Sequence, residues 1–85
     1  RLSPIFSQGD VEMAEVELED KSPVVGKALS QVVLPADCLL IAVLRGGAVL
    51  FPRGATVFEG RDRVFALTRR TAAAELRKAL LGAAQ

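Results

Sequence analysis

Two arginines stand where a small chain could grip an anion. Arg45 closes the apolar run Cys38–Leu44 beside Gly46-Gly47, and Arg53 follows Pro52 at the other end of the same stretch. A guanidinium forks onto a phosphate or carboxylate with two parallel hydrogen bonds, so either arginine could clamp such a group. The alternative is a pair of solvated turn residues, salt-bridged to Glu59 or Asp62, which is what most surface arginines are.

Other chemistries find little support. The chain has no histidine, tyrosine or tryptophan, which removes the usual general base and the imidazole metal ligand together. Cys38 has no histidine to activate it, so neither a thiol nucleophile nor a zinc site is indicated, and a small buried core residue is the expected role. A single cysteine forms no internal disulfide and fits a reducing, cytoplasmic setting. Glu15, Glu17 and Glu19 alternate onto one face and read as a solvated strand surface. Gly46, Gly47, Gly54 and Gly60 match neither a Walker loop nor a dinucleotide fingerprint, so a non-enzyme is expected, with no cofactor or metal. Eleven basic and ten acidic side chains balance too closely for a dedicated nucleic-acid binder. The Cys38–Leu44 run falls far short of the roughly 20 apolar residues that cross a bilayer.

These residues need elements to hold them. Eighty-five residues make one small domain with a thin core. Residues 1–10 read as a lead-in, with residues 11–85 as the domain, and the start at Arg1 suggests a piece of a longer protein. Val11–Leu18 alternates as a half-exposed strand. Ser22 as N-cap, Pro23 at the first helical position and apolar Val25, Ala28, Leu29 and Val32 predict a helix that Pro35 ends. Cys38–Leu44 and Ala48–Phe51 around Gly46-Gly47 predict a β-hairpin, because glycine accepts the positive φ of tight hairpin turns. Ala55–Phe58 reads as a short extension and Val64–Leu67 as a last strand. Thr71 is placed to cap a closing helix whose buried stripe is Leu76, Ala79, Leu80 and Ala83. The order predicts an α+β sandwich with an antiparallel or mixed sheet.

The central run is apolar on both sides. Strict alternation puts Cys38, Leu40, Ala42 and Leu44 on one face and Leu39, Ile41 and Val43 on the other. One face meets the helices. The second is covered either by a helix of this chain or by another subunit, and the small size of the domain favours a symmetric partner across Leu39, Ile41 and Val43.

Four strings in order resemble a known family. Lys21-Ser22-Pro23-Val24-Val25-Gly26-Lys27-Ala28-Leu29 is similar to the S-P-x-x-G-K-x-L opening of the TrkA C-terminal, or RCK C-terminal, domain. Leu34-Pro35 with Leu40–Gly47 resembles its central strand and turn, Val49–Val57 its P-R-G-x-T segment, and Asp62-Arg63-Val64 its G-D-R-V entry to the last strand. One departure is that Arg61 stands where the family usually has glycine before the aspartate.

The resemblance implies a small sandwich of a four- to five-stranded, mostly antiparallel sheet with two helices. It implies a homodimeric regulatory module of prokaryotic potassium or other cation transport, acting at the inner face of the cell membrane through a transporter or channel subunit. It further implies cyclic di-AMP as a ligand of the dimer cleft, with Leu39, Leu40, Arg45 and Phe51 as its contacts. A ligand-free assembly domain and the effector domain of a transcription regulator are the alternatives, with no direct nucleic-acid contact and no membrane insertion by this domain itself.

Overall fold

The computed structural model of the chain describes Phe6 and residues 8–82. Much of the expected lead-in therefore lies outside the described residues. Four strands form one antiparallel sheet: β1 (Val11–Glu17), β2 (Cys38–Arg45), β3 (Ala48–Leu50) and β4 (Arg63–Arg69), in the order β1-β4-β2-β3. The last long strand thus inserts between the first and the hairpin. A helix, α1 (Ala73–Leu81), follows β4 after a 3-10 turn at Arg70–Ala72. The result is the α+β sandwich of a four-stranded antiparallel sheet expected from the element order.

The register sets which side chains share a face. Val16, Val64, Val43 and Leu50 make one row across all four strands, and Ala14, Ala66 and Leu40 make the next. These point inward, where Leu76 and Leu80 of α1 meet them together with Leu18, Val24 and Phe58. The helix stripe is as the 3.6-residue period predicts for Leu76 and Leu80, while Ala83 lies outside the described residues. Thr71 falls inside the 3-10 turn, and no side chain caps α1.

Two local expectations are corrected. The helix predicted from Pro23 to Val32 is replaced by turns, with one 3-10 turn at Leu29–Gln31. Gly26 takes φ +87°, which an α-helix excludes, and Lys27 N–H donates to the Val24 carbonyl at 3.0 Å in a turn. The backbone then pairs outward: Gly26 N–H donates to the Phe58 carbonyl at 2.9 Å, Phe58 N–H to Lys27 at 3.0 Å, and Leu29 N–H to Thr56 at 2.8 Å. Bonds that a helix would keep local go to the 56–58 segment instead. The apolar spacing is still used, since Val24 is buried and Val25, Leu29 and Val32 pack on the core. Ser22 is buried, and its Oγ accepts the Glu19 N–H at 2.8 Å, closing a turn rather than starting a helix.

The second correction concerns β2. Its ladder with β4 shifts between Leu40 and Ala42, so Ile41 is a bulge residue. One extra residue reverses the inside-outside parity beyond it. Leu40 and Val43 therefore share the inner face, and Leu39, Ala42 and Leu44 share the outer one. The Gly46-Gly47 turn is as predicted, with φ +55° and +83° at its two central residues.

Candidate functional site

The outer face of the sheet is partly open among the described residues, with Ala42, Leu44, Phe65 and Leu67 on it half-buried. Across it, Met13, Leu67 and Leu39 form one row; Glu15, Phe65 and Ala42 the next; and Glu17, Arg63, Leu44 and Val49 the third. Neither α1 nor the 18–37 connection lies on this side, because the buried side chains of both belong to the inner core. Leu39 remains 62% exposed and Phe51 71%, with Met13 and Val49 also exposed. Arg63 crosses the face, donating to Glu15 Oε2 at 2.6 Å with its guanidinium carbon 5.8 Å from the Phe65 ring centre. The face is thus apolar at the Leu39 end and charged at the Arg63 end.

At the end of β2, Arg45 is tied into a network. Its Nε and Nη2 donate to Asp62 Oδ1 and Oδ2 at 2.9 and 2.8 Å, a bidentate fork. Nη2 also donates to the Val57 carbonyl at 2.9 Å, and Nη1 lies 3.0 Å from Glu59 Oε2. The Asp62 side chain is 0% exposed, and its Oδ2 also accepts the Glu59 N–H at 2.9 Å. Hydrogen bonding to Asp62, aided by the charges of Asp62 and Glu59, raises the Arg45 pKa against the opposing effect of partial burial. Arg45 is therefore a permanent cation whose charge the protein largely answers itself.

The turn carrying Asp62 explains the altered motif. Arg61 occupies φ +71°, the left-handed conformation that glycine adopts freely. Its N–H donates to the Leu18 carbonyl at 3.0 Å, and Leu18 N–H donates to the Asp62 carbonyl at 2.8 Å. Gly60 sits close to Asp20: an added Cβ would displace the exposed Asp20 carboxylate and lie a tight 3.1 Å from its Cα.

The residues singled out from sequence thus separate. Leu39 and Phe51 are exposed, and Leu39 lies on the outer face. Ile41 is half-buried at the bulge. Leu40 is buried and Val43 is 0% exposed, so neither presents itself to a ligand or a second subunit. Arg45 stands at the opposite end of β2 from Leu39, with its side chain turned to Asp62. The Arg53 side chain makes no ion pair among the described residues, and its N–H donates to Thr56 Oγ1 at 2.8 Å. Cys38 is half-buried, with Sγ 3.0 Å from Thr68 Oγ1. Alternation in the first strand puts Met13 with Glu15 and Glu17 on the exposed side, as observed, whereas sequence reasoning did not assign Phe65, Leu67 and Val49 to the outer face. The signal was present in the run Val64-Phe65-Ala66-Leu67, which is apolar at both parities like β2. Among the described residues, no cluster of metal-ligating side chains occurs and no helix is long and apolar enough to cross a membrane.

Comparison with known proteins decides the family. The family model of the TrkA-C domain matches residues 13–81. The chain belongs to the TrkA-C family. A Trk system potassium uptake protein TrkA homolog of Archaeoglobus fulgidus is 36% identical over 77 residues, covering 91% of this chain and 17% of that protein. The Trk system potassium uptake protein TrkA of Mycobacterium tuberculosis is 33% identical over 76 residues, covering 89% of this chain and 34% of that one. The chain thus spans only about a third or less of the length of these relatives. A solved structure described as an RCK domain with cda superposes with TM-score 0.71 at 18% identity, covering 80% of this chain and 96% of that one. That likeness is one of fold. In this TrkA-C domain the outer sheet face and the solvent-facing Glu59 side of the Arg45 network are the two features that the core does not use.

Proposed function

We propose that this TrkA-C domain is the non-catalytic regulatory module of a prokaryotic potassium uptake protein, working as a homodimer through its open sheet face at the cytoplasmic side of the membrane. The single observation behind this is the exposure, among the described residues, of Leu39 and Val49 on the outer face and of Phe51 beside it. Monomers rarely expose a contiguous apolar patch of this kind, and a two-fold pair is the commonest way to cover one. The matched relatives' potassium uptake role supplies the setting.

A phosphate-bearing ligand such as cyclic di-AMP is the candidate signal. A two-fold axis perpendicular to the strands would lay the Leu39 end of one β2 over the Arg45 end of the other. Leu39 and Phe51 would then offer apolar contact to the bases, and Arg45 a charge to the phosphates. Leu40 and Val43, being core residues, drop out of the site. The competing reading is a ligand-free assembly domain, favoured by the fact that Arg45 already has protein partners.

Sedimentation velocity at micromolar concentration tests the pairing. A dimer is expected for the wild type and a monomer of unchanged fold for Leu39→Asp; a wild-type monomer would remove the reading. Calorimetry with cyclic di-AMP tests the ligand, and absence of heat leaves the assembly role alone.

A further inference from the structure

The two forks of the Arg45 guanidinium are held by groups of opposite character. On the side fork, Nε and Nη2 bind both oxygens of Asp62, a carboxylate wholly out of solvent. On the end fork, Nη2 donates to the Val57 carbonyl and Nη1 meets Glu59 Oε2 at 3.0 Å. The Glu59 side chain keeps 61% of its surface in solvent. Its backbone is anchored separately, with its N–H on Asp62 Oδ2 at 2.9 Å. The Glu59 carboxylate can therefore swing away while the residue and the turn stay in place. Asp62 has no such freedom, since removing it would strand a cation against the core.

We propose that Glu59 is a built-in occupant of the outward Nη1 edge of Arg45, which a phosphate arriving at that arginine must displace. The inference rests on the ligand clause of the proposed function and adds what controls it.

Three observations carry the step. An anion already sits on Nη1, so the position accepts one. A guanidinium has five N–H donors, and those engaged here leave one Nη1 hydrogen without a protein acceptor. A phosphate oxygen pair could take both hydrogens of Nη1, which the single Glu59 oxygen does not. Finally, Asp62 alone matches the charge of Arg45, so Glu59 leaves the cluster net negative and repels anions until it moves. An exposed ion pair is held weakly, which makes Glu59 the group that exchanges. Binding is consequently selective: one weak phosphate competes poorly, whereas a ligand with two phosphates engages both seats of a pair at high effective concentration.

The experiment titrates the wild-type chain and Glu59→Gln with inorganic phosphate and, separately, with cyclic di-AMP. Binding is followed on the Arg45 Nε–H signal by nitrogen-15 NMR. Glutamine keeps the shape and removes the charge, and exposure of the side chain lets the fold persist, as the melting temperature would verify. Glu59→Gln is expected to bind tighter, on the order of three- to tenfold, the scale of one exposed ion pair plus one like charge. A response to both probes assigns a single-phosphate seat, and a response to cyclic di-AMP alone assigns a paired one. Equal or weaker binding by Glu59→Gln overturns the inference, as does saturation that leaves the Arg45 signal unmoved. No binding by either protein up to millimolar ligand overturns it together with the ligand clause. The pairing, read by sedimentation, is decided independently of these outcomes.

Discussion

Asp62 is the residue on which the hairpin and the turn before β4 both depend. It is the buried member of a bidentate pair, and it also accepts a backbone N–H from Glu59. Asp62→Asn keeps the volume but turns an N–H group toward a guanidinium. The expected loss is on the order of 2–4 kcal/mol, below the upper range for buried pairs because Arg45 keeps some contact with water. Urea denaturation measures it. A change under about 0.5 kcal/mol would mean that the pair is incidental. Arg61 offers the opposite case. Its left-handed backbone disfavours any side chain with a Cβ, so Arg61→Gly should stabilise by about 0.5–1 kcal/mol. For a domain of this size that is a rise of several degrees in melting temperature, near 4–8 °C per kcal/mol. Arg45 and Asp62 were both visible in the sequence as charged residues near turns. A salt bridge to Asp62 or Glu59 was one of two sequence readings, but its bidentate geometry and the burial of Asp62 were not legible, because seventeen residues and a strand crossing separate Arg45 from Asp62.

At the scale of elements, the bulge in β2 decides what faces outward. Without it, Val43 would lie on the open face with Leu39; with it, Val43 joins Leu40 in the core. Val43→Asp should therefore unfold the chain, while Leu39→Asp should leave circular dichroism unchanged and alter only association. Identical behaviour of the two variants would contradict the observed parity. The helix α1 closes the inner face through Leu76 and Leu80, both 0% exposed. Leu76→Ala is expected to remove about 2–5 kcal/mol, the range for truncating a buried leucine, as measured by denaturant melts. The strands β1, β2 and β4 were legible from period two and apolar runs. The segment after Pro23 was not, because Gly26 and the 56–58 backbone compete for the hydrogen bonds that a helix would need.

As a whole molecule, the described residues bury one side of a four-stranded sheet and leave the other partly exposed. An 85-residue domain is marginal by size, with total stability of only about 4–13 kcal/mol at typical values per residue. Covering the outer face would add to that, so association and stability should be linked. The melting temperature is expected to rise with protein concentration across the micromolar range, as mass action requires of a pair. A melting temperature that stays flat while sedimentation reports a dimer would place the contact somewhere other than the sheet face, or show that it adds no stability.

Local chemistry by itself determined the α+β class, the hairpin at Gly46-Gly47, the closing helix and the absence of a histidine-based site. Each rests on residues close in sequence: alternation, two adjacent glycines, the 3.6-residue spacing of Leu76 and Leu80, or simple composition. It also marked Cys38–Leu44 as apolar on both faces. Only the tertiary structure decided which residues occupy which face, because one bulged residue reverses parity and no local pattern announces it. Only the tertiary structure, likewise, turned Arg45 from an arginine at a strand end into one gripped by Asp62, Val57 and Glu59. That arrangement depends on β4 inserting beside β2, a pairing between distant segments that propensity and periodicity do not encode.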